Sequence, residues 1–166
     1  MSIASRQQPS LRSVQSTPST RVASLRWVAI AAALLNLGIH VYLAPMHLEE
    51  KPYIGVLFLI GSTALAVAVV GLASDQDRMR TLGWLLGTAT SLAMVIAFVL
   101  SRTVGLPGNY RETWGTSLED ILGLVSLGLE AVFCGCCLAS LTAAGTSGAP
   151  GQPRWLPLHD RTAPLA

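Results

Sequence analysis

Four long apolar runs, separated by short polar stretches, set the pattern of this chain. They are WVAIAAALLNLGIHVYLAP (residues 27–45), YIGVLFLIGSTALAVAVVGLA (53–73), LGWLLGTATSLAMVIAFVLS (82–101) and SLEDILGLVSLGLEAVFCGCCLASL (117–141). The first three contain no Asp, Glu, Lys or Arg. Each is close to the roughly 20 residues that a helix needs to cross about 30 Å of hydrocarbon. Backbone in lipid must satisfy its own hydrogen bonds, so the runs predict four transmembrane helices. Short connections make consecutive helices antiparallel neighbours. The predicted fold is all-α, a membrane-embedded antiparallel four-helix bundle over residues 25–142. Residues 1–24, rich in Ser, Gln, Thr, Pro and Arg, read as a disordered cytoplasmic arm. Residues 143–166, rich in proline, read as a flexible cytoplasmic tail. The first apolar run is longer than a secretory h-region and no small-x-small site follows it, so it reads as a span and not a cleaved leader.

Composition agrees with lipid as the solvent. Half of the residues (51%) are hydrophobic and 12% are charged, where a soluble domain carries about 25% charged residues. The net charge of +2 is small, and the basic residues form no patch, so a nucleic-acid partner is not expected. Their distribution does carry an orientation. Arg6, Arg12, Arg21, Arg26, Arg78, Arg80, Arg154 and Arg161 flank one end of the bundle; Lys51, Arg102 and Arg111 flank the other. By the positive-inside rule both termini are cytoplasmic and the first and third loops face outward. The expected location is the cell (plasma) membrane. The expected partners are the lipid bilayer and, beyond it, a membrane protein or a second copy of the chain.

The polar residues inside the runs are the candidate chemistry. On the first helix, Asn36, His40 and His47 share a face, although Pro45 is expected to end the helix near that point. On the fourth, Glu119, Gly123, Ser126 and Glu130 form a stripe. At 1.5 Å per residue, Asn36 lies about 13 Å and Glu130 about 15 Å from the outer boundary, so the two are nearly level. His40 lies nearer Ser126 and Gly123, and His47 meets Glu119 or Asp120 at the mouth. Ser62, Thr63, Thr90 and Ser91 fall at the depth of Glu130. A carboxylate at this depth costs several kcal/mol and normally faces the bundle interior or a cavity. The column Asn36, His40, His47, Ser126 and Glu130 is therefore either a hydrogen-bonded core that pins helix register or a ligand site. A metal or haem site, or a proton relay, on His40, His47 and Glu130 is the alternative, because imidazole and carboxylate suit Zn, Cu and Fe. No HxxxH or HxxEH spacing fixes two ligands on one turn, so no cofactor is the leading expectation.

The third loop, SRTVGLPGNYRETWGTSLED, carries a turn at GLPG. Arg102 closes the third helix and is expected to pair with Glu49, Glu50, Glu119 or Asp120, joining loops one and three into an outer cap. Gly83 and Gly87 form a GxxxG pair, and Ala131, Gly135 and Ala139 repeat every four residues, spacings that allow close helix approach. Cys134, Cys136 and Cys137 read as small hydrophobes. No Walker loop, GxSxG, HExxH or dinucleotide fingerprint is present, which argues against an enzyme.

Taken together, HVYLAPMHLEEKPYIGVLFL, FVLSRTVGLPG and LGLVSLGLEAVF resemble an uncharacterised family of small bacterial four-helix integral membrane proteins, over roughly residues 27–141. The resemblance implies fold and membrane location only. That family has no assigned activity and so contributes no catalytic residues. The sequence thus reads as a non-enzymatic structural or partner-binding membrane protein with a polar bundle core.

Overall fold

The computed structural model describes residues 18–147. Four helices fill nearly all of it: α1 (Pro18–Glu50), α2 (Pro52–Ala73), α3 (Asp77–Arg102) and α4 (Leu118–Ser147). Each contains a stretch long and apolar enough to cross a membrane. The chain has the make-up of a multi-pass membrane protein. The described part of the expected N-terminal arm is helical from Pro18. The rest of that arm, and the tail beyond Ser147, lie outside the described residues.

The helices form an antiparallel ring. α1 packs on α2 and α4, and α3 closes the ring against the same two neighbours. Two ends result. The turn between α2 and α3 marks one, called here the turn end. The α1–α2 junction and the α3–α4 loop share the other, the cap end. At the cap end a single residue, Lys51, separates α1 from α2. Pro52 opens α2, where a missing N–H costs nothing.

Pro45 does not end the first helix. α1 continues for one more turn to Glu50. Proline removes one N–H and crowds the preceding turn, yet the His47 ring bonds back to Leu43 O at 2.9 Å and anchors this last turn. Continuation through Pro45 carries His47 onto the same buried face as Asn36 and His40.

The bundle is inside-out relative to a soluble one. Its interior near the turn end is built from small and medium residues: Ala29, Ile30, Ala33, Leu65, Leu72, Phe133 and Cys136. Large apolar residues such as Leu35, Ile60, Val70, Leu85 and Leu138 point outward. Between helices in lipid the driving force is close packing, which favours small residues at the contacts. The α2–α3 crossing shows this. A methyl group built on Gly83 would stand 2.7 Å from Leu72 N and 2.9 Å from Ala68 O. Those atoms are backbone and cannot step aside. Gly83→Ala is therefore expected to cost about 1–3 kcal/mol by overpacking, measured as a shift in thermal unfolding in detergent. An unchanged midpoint would show that α2 and α3 have room to separate.

The expected GxxxG pair divides its labour. Gly83 faces the α2 backbone, whereas Gly87 makes room for the ring of Phe133 on α4. In the Ala131, Gly135, Ala139 series only Ala139 is partly buried. Ala131 and Gly135 are exposed, and nothing approaches the position of a Gly135 side chain within 4 Å. Of the cysteines, Cys136 sits in the apolar core, Cys134 and Cys137 are half-buried, and all three are free thiols.

Candidate functional site

The cap-end half of the bundle differs from the packed half. It encloses a cavity of about 420 Å³ that all four helices and the α3–α4 loop line. Three levels can be followed from floor to mouth.

The floor is a hydrogen-bonded column between α1 and α4. Asn36, Ser126 and Glu130 are buried, with 2% of Glu130 exposed. Asn36 Nδ2 donates to Glu130 Oε1 at 3.2 Å, and Ser126 Oγ donates to Asn36 Oδ1 at 2.6 Å. The expected level match of Asn36 with Glu130 follows directly from the helical rise. Ser126 has one proton, and Asn36 takes it. Ser126 Oγ also stands 3.5 Å from His40 Nε2, at the limit of a hydrogen bond. His40 Nδ1 is buried and has no well-formed hydrogen bond among the described residues.

The other polar groups expected at this depth do not join the column. Ser62 is buried but donates to Phe58 O of its own helix at 2.8 Å. Ser91 is buried and its hydroxyl has no partner among the described residues. Thr63 is exposed and donates to Leu59 O. Thr90 is half-buried.

The middle level is aromatic. The His47 ring stacks on Phe58 with centroids 4.5 Å apart, and the His40 ring meets the same phenyl edge-on at 5.0 Å. Phe58 thus occupies the space between the two imidazoles. It keeps His40, His47 and Glu130 from converging on one point. Among the described residues no three of His, Cys, Asp and Glu stand close enough to ligate one metal ion.

The lid is the α3–α4 loop, held by Arg102. The chain reverses at Pro107–Asn109, where Gly108 takes φ +78° and Asn109 φ +57°. Positive φ is cheap for glycine and tolerated by asparagine. Leu106 and Tyr110 pair across the turn, and Glu112 N–H reaches back to Ser101 O at 3.0 Å. Lys51 Nζ donates to Gly108 O at 3.3 Å, and the Tyr53 hydroxyl donates to Pro107 O. Loops one and three do form a single cap.

Arg102 is the centre of that cap. Its side chain, 6% exposed, forms ion pairs with Glu112 and with Asp120 Oδ1, the latter at 3.3 Å. The guanidinium lies over the Phe98 ring, 4.0 Å from its centroid. Asp120 is fixed in turn by Ser117, whose hydroxyl donates to Asp120 Oδ2 at 2.7 Å and accepts from Asp120 N–H at 3.2 Å. Ser117 N–H also donates to Asp120 Oδ2 at 3.2 Å, which with the Asp120 N–H bond to Ser117 Oγ closes a capping box at the start of α4.

The expected partners of Arg102 need correction. Asp120 is one. Glu49, Glu50 and Glu119 are exposed and make no ion pair with Arg102 among the described residues. Glu112 takes their place. It also stands 3.7 Å from His47 Nε2, where Glu119 or Asp120 was expected. Tyr110 is buried, and its hydroxyl donates to Glu112. Sequence reasoning missed Glu112 because it lies on no helix. Its available signal was the GLPGN turn, which folds YRE back toward the end of α3.

The neighbouring His47 ring, then the Tyr110 hydroxyl and Arg102, hold the Glu112 carboxyl below its ordinary value of 4.5. Burial, followed by the adjacent Glu112, pushes the Tyr110 phenol up. The closed cap therefore binds fewer protons at Glu112 than an opened one. Its stabilisation is complete above the ordinary carboxylate value and is lost as pH falls below it. Emission from Trp114, which packs edge-on to Phe98 at 6.2 Å, reports this in a variant with Trp27, Trp84 and Trp155 replaced by Phe. A transition on acidification that disappears in Glu112→Gln is expected; one that persists would assign the change elsewhere.

Chemically, the arrangement offers a polar floor, an apolar wall of Leu, Met and Phe, and a charged lid. It presents no activated nucleophile. In comparisons with known proteins, the chain matches no protein-family model, no curated protein and no solved structure.

Proposed function

We propose that this chain is a non-enzymatic membrane protein that receives a small ligand in the cavity beneath the cap. The observation that carries this reading is the asymmetry of the bundle interior. The cap-end half holds a cavity of about 420 Å³ with a polar floor, apolar walls and a charged mouth, a size in the range of small-molecule sites. The turn-end half is filled by Phe133, Leu65, Leu72 and the alanines of α1. The cavity thus stops at Glu130, which suits a receptacle and not a conducting pore. In the same proposal the protein lies in a bacterial cell membrane, as its likeness to small four-helix membrane proteins implies. Both termini are cytoplasmic, as the distribution of Lys and Arg implies.

Liposomes containing the full chain test the receptacle reading. They should retain trapped potassium and carboxyfluorescein as well as protein-free liposomes do. A leak that Glu130→Gln abolishes would replace the receptacle with a pore. Orientation is tested with Gly108→Cys in a background lacking Cys134, Cys136 and Cys137. A membrane-impermeant maleimide should label it in intact cells. Labelling only after lysis would reverse the topology.

A further inference from the structure

Resting on the receptacle reading, we propose that the cavity selects a small organic cation, a primary ammonium on a short aliphatic body, with the ammonium seated at Glu130. The charge of the lining points this way. Five carboxyl groups line the cavity against two arginines, Arg102 and Arg111. Glu112 and Asp120 are taken up by Arg102. Glu50 and Glu119 stand exposed at the rim, where they attract cations to the mouth.

Glu130 is different from these four. It is buried at the floor, and among the described residues no Lys, Arg or His lies in ion-pair contact with it. The Asn36 amide holds Oε1 and is a neutral donor. A buried carboxyl without a counter-cation is costly in a membrane-spanning segment. A cation entering the cavity supplies what the protein omits.

The rest of the floor is rich in acceptors. Ser126 has its proton committed to Asn36. His40, 7% exposed, offers one acceptor nitrogen in either neutral tautomer, and its Nδ1 has no well-formed hydrogen bond among the described residues. An ammonium brings several N–H donors and no acceptor, matching this surplus. An anion would meet Glu130 at the floor and find Arg102 already paired, with Arg111 exposed at the mouth. The walls above, from Leu43, Leu57, Met94 and Leu127, suit an aliphatic body.

The test uses the full chain in lipid nanodiscs and isothermal titration with three probes of one chain length: hexylammonium, hexanol and hexanoate. Empty nanodiscs give the partitioning background. Hexylammonium should bind saturably, at least about tenfold tighter than either of the others. Glu130→Gln should weaken it by at least about tenfold, while Glu130→Asp, which keeps the charge, retains most of the affinity. Hexanol or hexanoate binding as tightly as hexylammonium would overturn the ammonium selectivity and leave the receptacle standing. Saturable binding of none of the three would overturn both. The three-probe comparison on the unaltered chain decides even if a Glu130 variant fails to fold.

Discussion

Arg102→Ala is expected to destabilise the folded chain by about 3 kcal/mol, the low end of what removing one partner of a buried ion pair costs. The side chain is 6% exposed and holds two carboxylates, of which Glu112 is 27% and Asp120 19% exposed. Removing the guanidinium leaves two half-buried negative charges beside one another and uncovers Phe98. Water reaches both carboxylates, which keeps the loss from the upper end of the range. Arg102→Lys retains one charge but cannot reach both carboxylates or stack on Phe98 in the same way, so it should recover part of the loss. Unfolding in mixed micelles measures the size of the effect. Hydrogen exchange over residues 103–117 locates it, because Arg102 carries the loop's ion pairs to Glu112 and Asp120. Unchanged exchange in Arg102→Ala would mean that the Lys51 and Tyr53 contacts hold the lid by themselves.

Asn36→Leu should cost about 2 kcal/mol, the penalty of leaving buried polar groups without their partner. The Asn36 amide serves both Glu130 and Ser126, and leucine serves neither. Glu130→Gln should be milder, within about 1 kcal/mol, because the glutamine oxygen still accepts from Asn36. The pair Asn36→Leu with Glu130→Leu should cost less than the sum of its parts, since each substitution strands the group that the other removes. Additive losses in that cycle would show that the 3.2 Å contact contributes nothing to stability.

Much of this was legible in the sequence, for a physical reason. A helix has one rise per residue and one angular step, so depth and face follow from counting. Counting from the ends of two antiparallel helices placed Asn36 level with Glu130 and His40 near Ser126, as found. The length of the apolar runs, the short connections and the joined cap followed from equally simple geometry. Where periodicity ends, so did legibility. Glu112 reaches Arg102 and His47 through a reversal set by positive φ at Gly108 and Asn109, and nothing in residue spacing says how far such a reversal folds back. The fate of Pro45 was misread for a related reason. Proline weakens a helix locally, but the bond of His47 to Leu43 O and its stacking on Phe58 hold the last turn. The phenyl ring of Phe58 against both imidazoles was out of reach for the same reason, because it comes from α2, far away in sequence.

The central claim is that the polar column at Asn36, Ser126 and Glu130 is the floor of a cavity open toward the cap and closed toward the turn end. Thiol accessibility tests it most directly. In a background lacking Cys134, Cys136 and Cys137, Ser126→Cys and Leu65→Cys are each exposed to a small water-soluble methanethiosulfonate from one face of sealed vesicles at a time. Ser126→Cys should react from the face that labels Gly108→Cys and not from the other, and Leu65→Cys should react from neither. Reaction at Leu65, or at Ser126 from both faces, would show a path through the bundle, and an inert Ser126→Cys would show no cavity there at all.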